Sequence, residues 1–295
     1  MDSTKHYLSF PITLFVLAFT CFCVSAQKSK SFDRKKQLVI GLKGGVNFTQ
    51  PIVLKSHSVF SPTLNSSHGA TSKKYQPLMK NMGFNGGIFL MYRITNRLSV
   101  TLEGLYFQYR YSYKNEYMWT DANDGTAFSL QQEQFNRLNY FEIPLMLRYD
   151  FTIRRVTPFV QGGIFTGFMH SAVAQTVSRQ FSSQLSPSEE TKNPLTQTND
   201  RYAKVHLGAI GGAGVSFFAG KIMLTLGGNV RYSLLPPTGN LHRYNDQASS
   251  SSAYLDVPDH VNFLNLELYF SVGVPVSFSN KSQPKFGTNY CTFGK

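Results

Sequence analysis

Asn139-Tyr140-Phe141-Glu142-Ile143-Pro144-Leu145-Met146-Leu147-Arg148-Tyr149-Asp150-Phe151 is the stretch that decides the fold. Taken at every second position, Phe141, Ile143, Leu145, Leu147 and Tyr149 share one face, and Glu142, Pro144, Met146 and Arg148 share the other. Period two is the strand period, because successive side chains of extended backbone point to opposite sides. A soluble sandwich would alternate in the same way. What separates the two architectures is which face is charged and how the strands are joined.

The same pattern recurs on both sides of this segment. Upstream, Leu38, Ile40, Leu42, Gly44, Val46 and Phe48 oppose Lys43 and Asn47. Phe84, Gly86, Ile88, Leu90 and Tyr92 oppose Asn85 and Arg93, and Leu98, Val100, Leu102 and Tyr106 oppose Ser99, Thr101 and Glu103. Downstream, a Gly-rich segment from about Thr157 to Ala172 sets Val160, Ile164 and Phe168 against Gln161. Val205, Leu207, Ala209, Ala213, Val215 and Phe217 oppose Lys204, His206 and Ser216. Ile222, Leu224, Leu226, Val230 and Tyr232 oppose Thr225, Asn229 and Arg231. A last segment runs in alternate steps from Leu264 to Phe278, against Asn265, Glu267 and Ser271.

The connections alternate in length. Residues 95–97, 151–156 and 219–221 are short turns, whereas 49–80, 114–137, 173–201 and 235–260 are long and polar. Outer-membrane barrels have this rhythm of tight turns at one end and long loops at the other. Each apolar face is long enough for a tilted crossing, and a closed ring satisfies every backbone group without water. The expected fold is an all-β, eight-stranded antiparallel transmembrane barrel with four long extracellular loops. A barrel this narrow has its interior filled by side chains. The inward set is Lys43, Arg93, Arg148, Lys204 and Arg231 with Glu103, Glu142 and Glu267. Paired charges are expected there, since an isolated buried charge is costly, and a wide diffusion pore is not.

The N-terminus fits export. Lys5, an apolar run from Leu8 to Val24 and the small residues Ser25 and Ala26 make a signal peptide over 1–26. Residues 27–37 then form a basic periplasmic segment, 38–279 the barrel and 280–295 a periplasmic tail. Two of the three cysteines leave with the leader, so Cys291 has no internal disulfide partner. Aromatic content of 14%, with 25 Phe and 16 Tyr against one Trp, favours strands over helices.

Four stretches, Ile40–Thr49, Leu98–Gln108, Asn139–Phe151 and Thr157–Phe168, resemble the PorT-like outer-membrane barrel family of Bacteroidota. That family is broadly similar to the eight-stranded OmpA and OmpX barrels, and the likeness covers 38–279. The resemblance implies the outer membrane, with a few members assisting type IX secretion. The 280–295 tail departs from the pattern, because such barrels often end on an aromatic residue such as Phe278.

The formal net charge is +13, but it is unevenly spread. The four long connections sum to zero. The excess gathers at the predicted periplasmic end, in Lys28, Lys30, Arg34, Lys35 and Lys36, in Arg97, Arg154, Arg155 and Lys221, and in Lys281, Lys285 and Lys295, against Asp33 and Asp150. Such a collar suits anionic phospholipid heads or an acidic periplasmic partner, acting over about 8–10 Å of Debye length. Outer-membrane lipid, lipopolysaccharide and a periplasmic or secretion-system protein are the expected partners; nucleic acid is not, for an exported barrel.

Candidate chemistry is sparse. His170 with Ser171 and His260 with Asp259 lie at strand ends, as a rim dyad of a lipid A modifying enzyme would, but neither carries a recognisable motif. His57, His68, His206 and His242 lack metal-ligand spacing, and no phosphate or dinucleotide loop occurs. No cofactor is expected. Tyr106, Tyr109, Tyr111, Tyr113, Tyr117 and Trp119 read as an interfacial girdle, with ligand binding as the other use of such residues. The reading is a non-enzymatic structural or accessory barrel; its alternatives are a lipid A modifying enzyme and a surface ligand-binding barrel.

Overall fold

The computed structural model describes residues 36–56, 73–120, 127–182, 189–219, 222–238 and 259–276. The expected leader, residues 27–35, Phe278 and the 280–295 tail with Cys291 lie outside the described residues, as do His57, His68 and His242.

In chain order the strands are β1 (Leu38–Lys55), β2 (Lys74–Tyr75), β3 (Met82–Arg93), β4 (Leu98–Thr120), β5 (Ala127–Asp150), β6 (Val156–Ser182), β7 (Glu189–Lys192), β8 (Thr196–Gln197), β9 (Val205–Ala219), β10 (Ile222–Ser233) and β11 (His260–Val276). The eight long strands pair antiparallel in the order β1, β3, β4, β5, β6, β9, β10, β11, and β11 pairs back onto β1. The ring therefore has no open edge in the part where all eight strands meet.

Followed once around, the register passes from Leu38 through Tyr92, Val100, Leu147, Gly162, Gly211, Val230 and Leu266 and re-enters β1 at Phe48. The return lies ten residues from the start. A stagger of that size over eight strands tilts them by about 40°. At this tilt the alternating run from Leu38 to Phe48 rises about 25 Å, the height of the apolar band of an outer-membrane barrel.

The outward face is apolar and bare. Leu42 and Leu226 are 66% exposed and Ile88 is 63% exposed, and Ile40, Ile143, Leu145, Ile164 and Val274 stand beside them around the wall. In water, such a belt would cost on the order of tens of kcal/mol in unburied apolar surface. Acyl chains remove that cost. The inward face is packed instead, and glycines make room for its rings. A Cβ on Gly208 would lie 2.3 Å from Phe165 Cζ, and one on Gly227 would lie 2.6 Å from the Tyr269 hydroxyl.

Two of the expected loops are largely strand. β4 and β5 run on as one hairpin through 114–120 and 127–137, and β6 continues to Ser182, where β7 and β8 pair with its edge. Polarity concealed this sheet, because strands beyond the bilayer need no oily face. Its inward side carries Tyr109, Tyr111 and Tyr113, then Gln132, Gln134 and Asn136, all buried. On its edge Arg179 donates to Glu190 at 3.1 Å, and that bond holds the Glu190 carboxyl below its ordinary range.

The girdle is also placed differently. Tyr106 faces outward at 40% exposure, with Phe84, Phe141 and Phe168 at the same end of the belt and Tyr92, Tyr149 and Phe151 at the other. Tyr109, Tyr111 and Tyr113 point inward, because they have the parity of Ser99 and Glu103 and not that of Tyr106. Nothing is described for the side chains of Tyr117 and Trp119.

Candidate functional site

Among the described residues, the lumen holds the largest assembly of paired charged side chains. Its centre is Arg231 on β10, whose guanidinium donates to Glu142 on β5 and, at 3.1 Å, to Glu267 on β11. Glu142 also accepts from the Tyr109 hydroxyl, and His206 Nε2 lies 3.1 Å from it. Glu267 accepts from Asn229 at 2.7 Å, from Asn85, and from Lys43 at 3.0 Å. Lys43 in turn bridges to Glu103 at 2.8 Å and lies 4.1 Å from the centre of the Tyr269 ring. The Arg231 guanidinium carbon sits 4.5 Å from the Phe107 ring centre, so the cation is held by acids at its edge and a π face on one side.

A second layer lies nearer the short turns. Asp150 accepts from Arg93 Nη1 at 2.9 Å and from Arg148 Nε at 2.8 Å. Arg148 also donates to Ser216 at 2.7 Å and stacks 3.6 Å from the centre of the Phe159 ring. Lys43, Arg93, Arg148 and Arg231 thus face Glu103, Glu142, Asp150 and Glu267, a balanced set of buried charges. Balance matters here, because an unpaired ion in a space this dry would leave several kcal/mol of desolvation uncompensated.

Asp150 belongs to this interior and not to the basic collar where the sequence reading put it. Its parity with Glu142 and Arg148 was the available signal. Lys204 is the opposite correction. It stands exposed just before β9, whose first residue is Val205. The chain reaches that point from a 3-10 turn at Asn199–Arg201, so the alternation that turns His206 inward does not extend back to Lys204. Arg201 is the buried cation of that stretch.

Above the ion pairs, aromatic rings pack inside the lumen. Tyr109 stacks on Phe263 at 5.5 Å and meets Tyr140 edge-on at 5.8 Å, and the Tyr111 hydroxyl shares a hydrogen bond with that of Tyr202 at 2.6 Å. Phe107, Leu138, Ala172 and Val261 complete this cluster. His206 is boxed by Tyr109, Tyr140 and Phe165.

The two rim pairs are not assembled as dyads. His170 is the extra residue of a β-bulge, since Asn139 pairs with Ser171 and Tyr140 with Met169. It is exposed against the Phe141 ring at 5.4 Å, while Ser171 accepts from Asn139 at 2.8 Å. His260 Nδ1 lies 3.3 Å from the Thr238 hydroxyl. Asp259 accepts from Tyr75 at 2.8 Å and from Lys73 at 3.2 Å, which pins the 73–75 strap across the start of β11. Among the described residues, no cluster of His, Cys, Asp and Glu has metal-ligand geometry.

Comparison with protein families agrees with this architecture. Residues 25–239 match the family model described as outer membrane protein beta-barrel domain. Among solved structures the chain is similar to neisserial surface protein A, at 14% identity over 80% of this chain and 96% of that one, with a TM-score of 0.28. It is similar to Ail, the attachment invasion locus protein of Yersinia pestis, at 13% identity over 82% and 99%, TM-score 0.27. OprG of Pseudomonas aeruginosa gives 11% identity over 82% and 97%, TM-score 0.34. No curated protein sequence matches. The family match spans well over half of the sequence, and the chain belongs to the outer membrane protein beta-barrel domain family.

Proposed function

We propose that the protein works without catalysis, as a sealed structural or accessory barrel of the outer membrane. The short turns and both termini lie on the periplasmic side in this reading, and the β4–β5–β6 sheet stands outside the cell. The filled lumen carries the proposal. Arg231, Glu142 and Glu267 tie strands together across it, and the Tyr109 to Phe263 cluster lies over them, which leaves the interior to stability and not to passage. The resemblance to PorT-like barrels of Bacteroidota adds a role in type IX secretion or envelope integrity. A signal peptide at 1–26 delivers the chain for export, and lipid, lipopolysaccharide and a secretion-system or other periplasmic protein are its partners.

Three measurements test this. The barrel reconstituted in a planar bilayer passes no stepwise current, and a strain lacking it keeps its lipid A acylation profile. Purification from membranes under mild detergent recovers the same secretion or envelope protein each time. Pore-sized current steps or altered lipid A would replace this reading with a channel or an enzyme. The protruding sheet favours a second reading, a surface ligand-binding barrel, because strands of this length place a wide polar surface beyond the belt.

A further inference from the structure

The short-turn end carries a surface that the sealed lumen does not use. Arg97 is exposed in the turn before β4, and Arg154 and Arg155 are exposed in the turn between β5 and β6. Asp150, the acidic residue beside them, is turned inward onto Arg93 and Arg148, so its charge does not reach this surface. Next to Arg97, on the outward wall, Leu98, Leu147, Tyr149, Val160 and Gly162 border a shallow groove of about 150 Å³. Arg97 Nη1 donates to the Tyr149 hydroxyl at 3.5 Å, which joins the cationic turn to the apolar groove.

Resting on the orientation proposed above, with the short turns at the periplasmic face, we propose that this groove and Arg97 bind one anionic glycerophospholipid of the adjoining leaflet. The phosphate sits on Arg97, and one acyl chain lies in the groove over Gly162. A lipid presents a phosphate and an apolar chain at adjacent depths of the bilayer, and this surface offers their complements in the same order. Guanidinium groups match phosphate oxygens through paired N–H donors. Wall packing does not demand glycine at 162: an added Cβ there would lie 3.7 Å from Ile210 O, an ordinary contact. The missing side chain is therefore what keeps the groove open. An acidic protein would complement the arginines but would leave the apolar groove without an occupant.

The test uses the purified barrel in detergent with equal amounts of phosphatidylglycerol and phosphatidylethanolamine of identical chains, retained lipid being read by native mass spectrometry. Phosphatidylglycerol is retained preferentially. Arg97→Gln reduces its retention about five-fold. Gly162→Leu reduces it with Arg97 present, whereas Gly44→Leu, at an outward glycine with nothing within 4 Å of its Cβ, does not. Folding of each variant is confirmed by its heat-sensitive gel migration, with Gly162→Ala as the milder filling variant. Equal retention of the two lipids overturns the site, as does unchanged phosphatidylglycerol retention after the groove is filled. Displacement of the lipid by equimolar glycerol phosphate would reduce the surface to an anion patch. Loss of a co-purifying acidic protein from the Arg97→Gln variant, with lipid retention intact, would assign the surface to a protein partner.

Discussion

Arg231 on β10 donates across the lumen to Glu142 on β5, three strands away around the ring. The same guanidinium reaches Glu267 on neighbouring β11, so one side chain ties two acids on separated parts of the wall. Arg231→Met takes the guanidinium from both carboxylates; Glu267 keeps Lys43 at 3.0 Å, but Glu142 is left in a dry interior with only Tyr109 and His206, and the change is expected to cost about 3–5 kcal/mol. Urea unfolding in lipid vesicles, followed by loss of the compact gel band, measures this. Arg231→Met combined with Glu142→Gln recovers most of the loss, since Lys43 still bridges Glu103 and Glu267 and the buried cations and acids again balance. A single variant as stable as the parent would mean that the bridge contributes nothing.

Leu226 tests what bathes the outer wall. It is 66% exposed near the middle of β10, and Leu226→Arg at that depth is expected to cost about 2–4 kcal/mol in a bilayer. On a face wetted by water the same change would be close to neutral. Equilibrium folding into vesicles distinguishes the two results.

Glycines on the two faces have opposite tolerance. Gly208→Val places its Cβ 2.3 Å from Phe165 and 2.5 Å from the Tyr232 carbonyl oxygen, and about 1–3 kcal/mol of overpacking is expected. Gly44→Val meets nothing within 4 Å and leaves the thermal midpoint unchanged. Equal effects at both positions would contradict the assignment of inner and outer faces.

The 73–75 strap depends on Asp259. Asp259→Ala removes the acceptor for Tyr75 and Lys73, and hydrogen bonds to a charged group contribute about 1.5–3 kcal/mol. The Gln76 amide, bonded to Ser112 O at 2.9 Å, should then exchange about ten-fold faster or more, while amides of β10 keep their protection. Unchanged exchange at Gln76 would show that the strap is held by other contacts.

Local periodicity made much of this legible. Phe141 to Tyr149 and Leu264 to Val276 declare their oily side in the sequence itself, because strand geometry assigns faces residue by residue. The same parity placed Lys43, Arg93, Glu103, Glu142, Arg148, Arg231 and Glu267 inside. It would also have placed Asp150 and Tyr109 there had it been followed to the ends of their strands. It failed at Lys204, where a turn interrupts the strand, and at 127–137, where a polar sheet beyond the bilayer lacks the apolar signal.

The sequence by itself determined that there are strands, which of their faces is oily and which is charged, because alternation is a property of neighbouring residues. Only the tertiary structure decided which charges meet. Arg231 and Glu142 lie 89 residues apart, and their contact depends on a ring closed with a ten-residue stagger. The bulge at His170 that resets the phase of β6 depends equally on its pairing with β5. Register around a closed sheet is a collective quantity, set by every strand pair at once, and no single stretch of chain contains it.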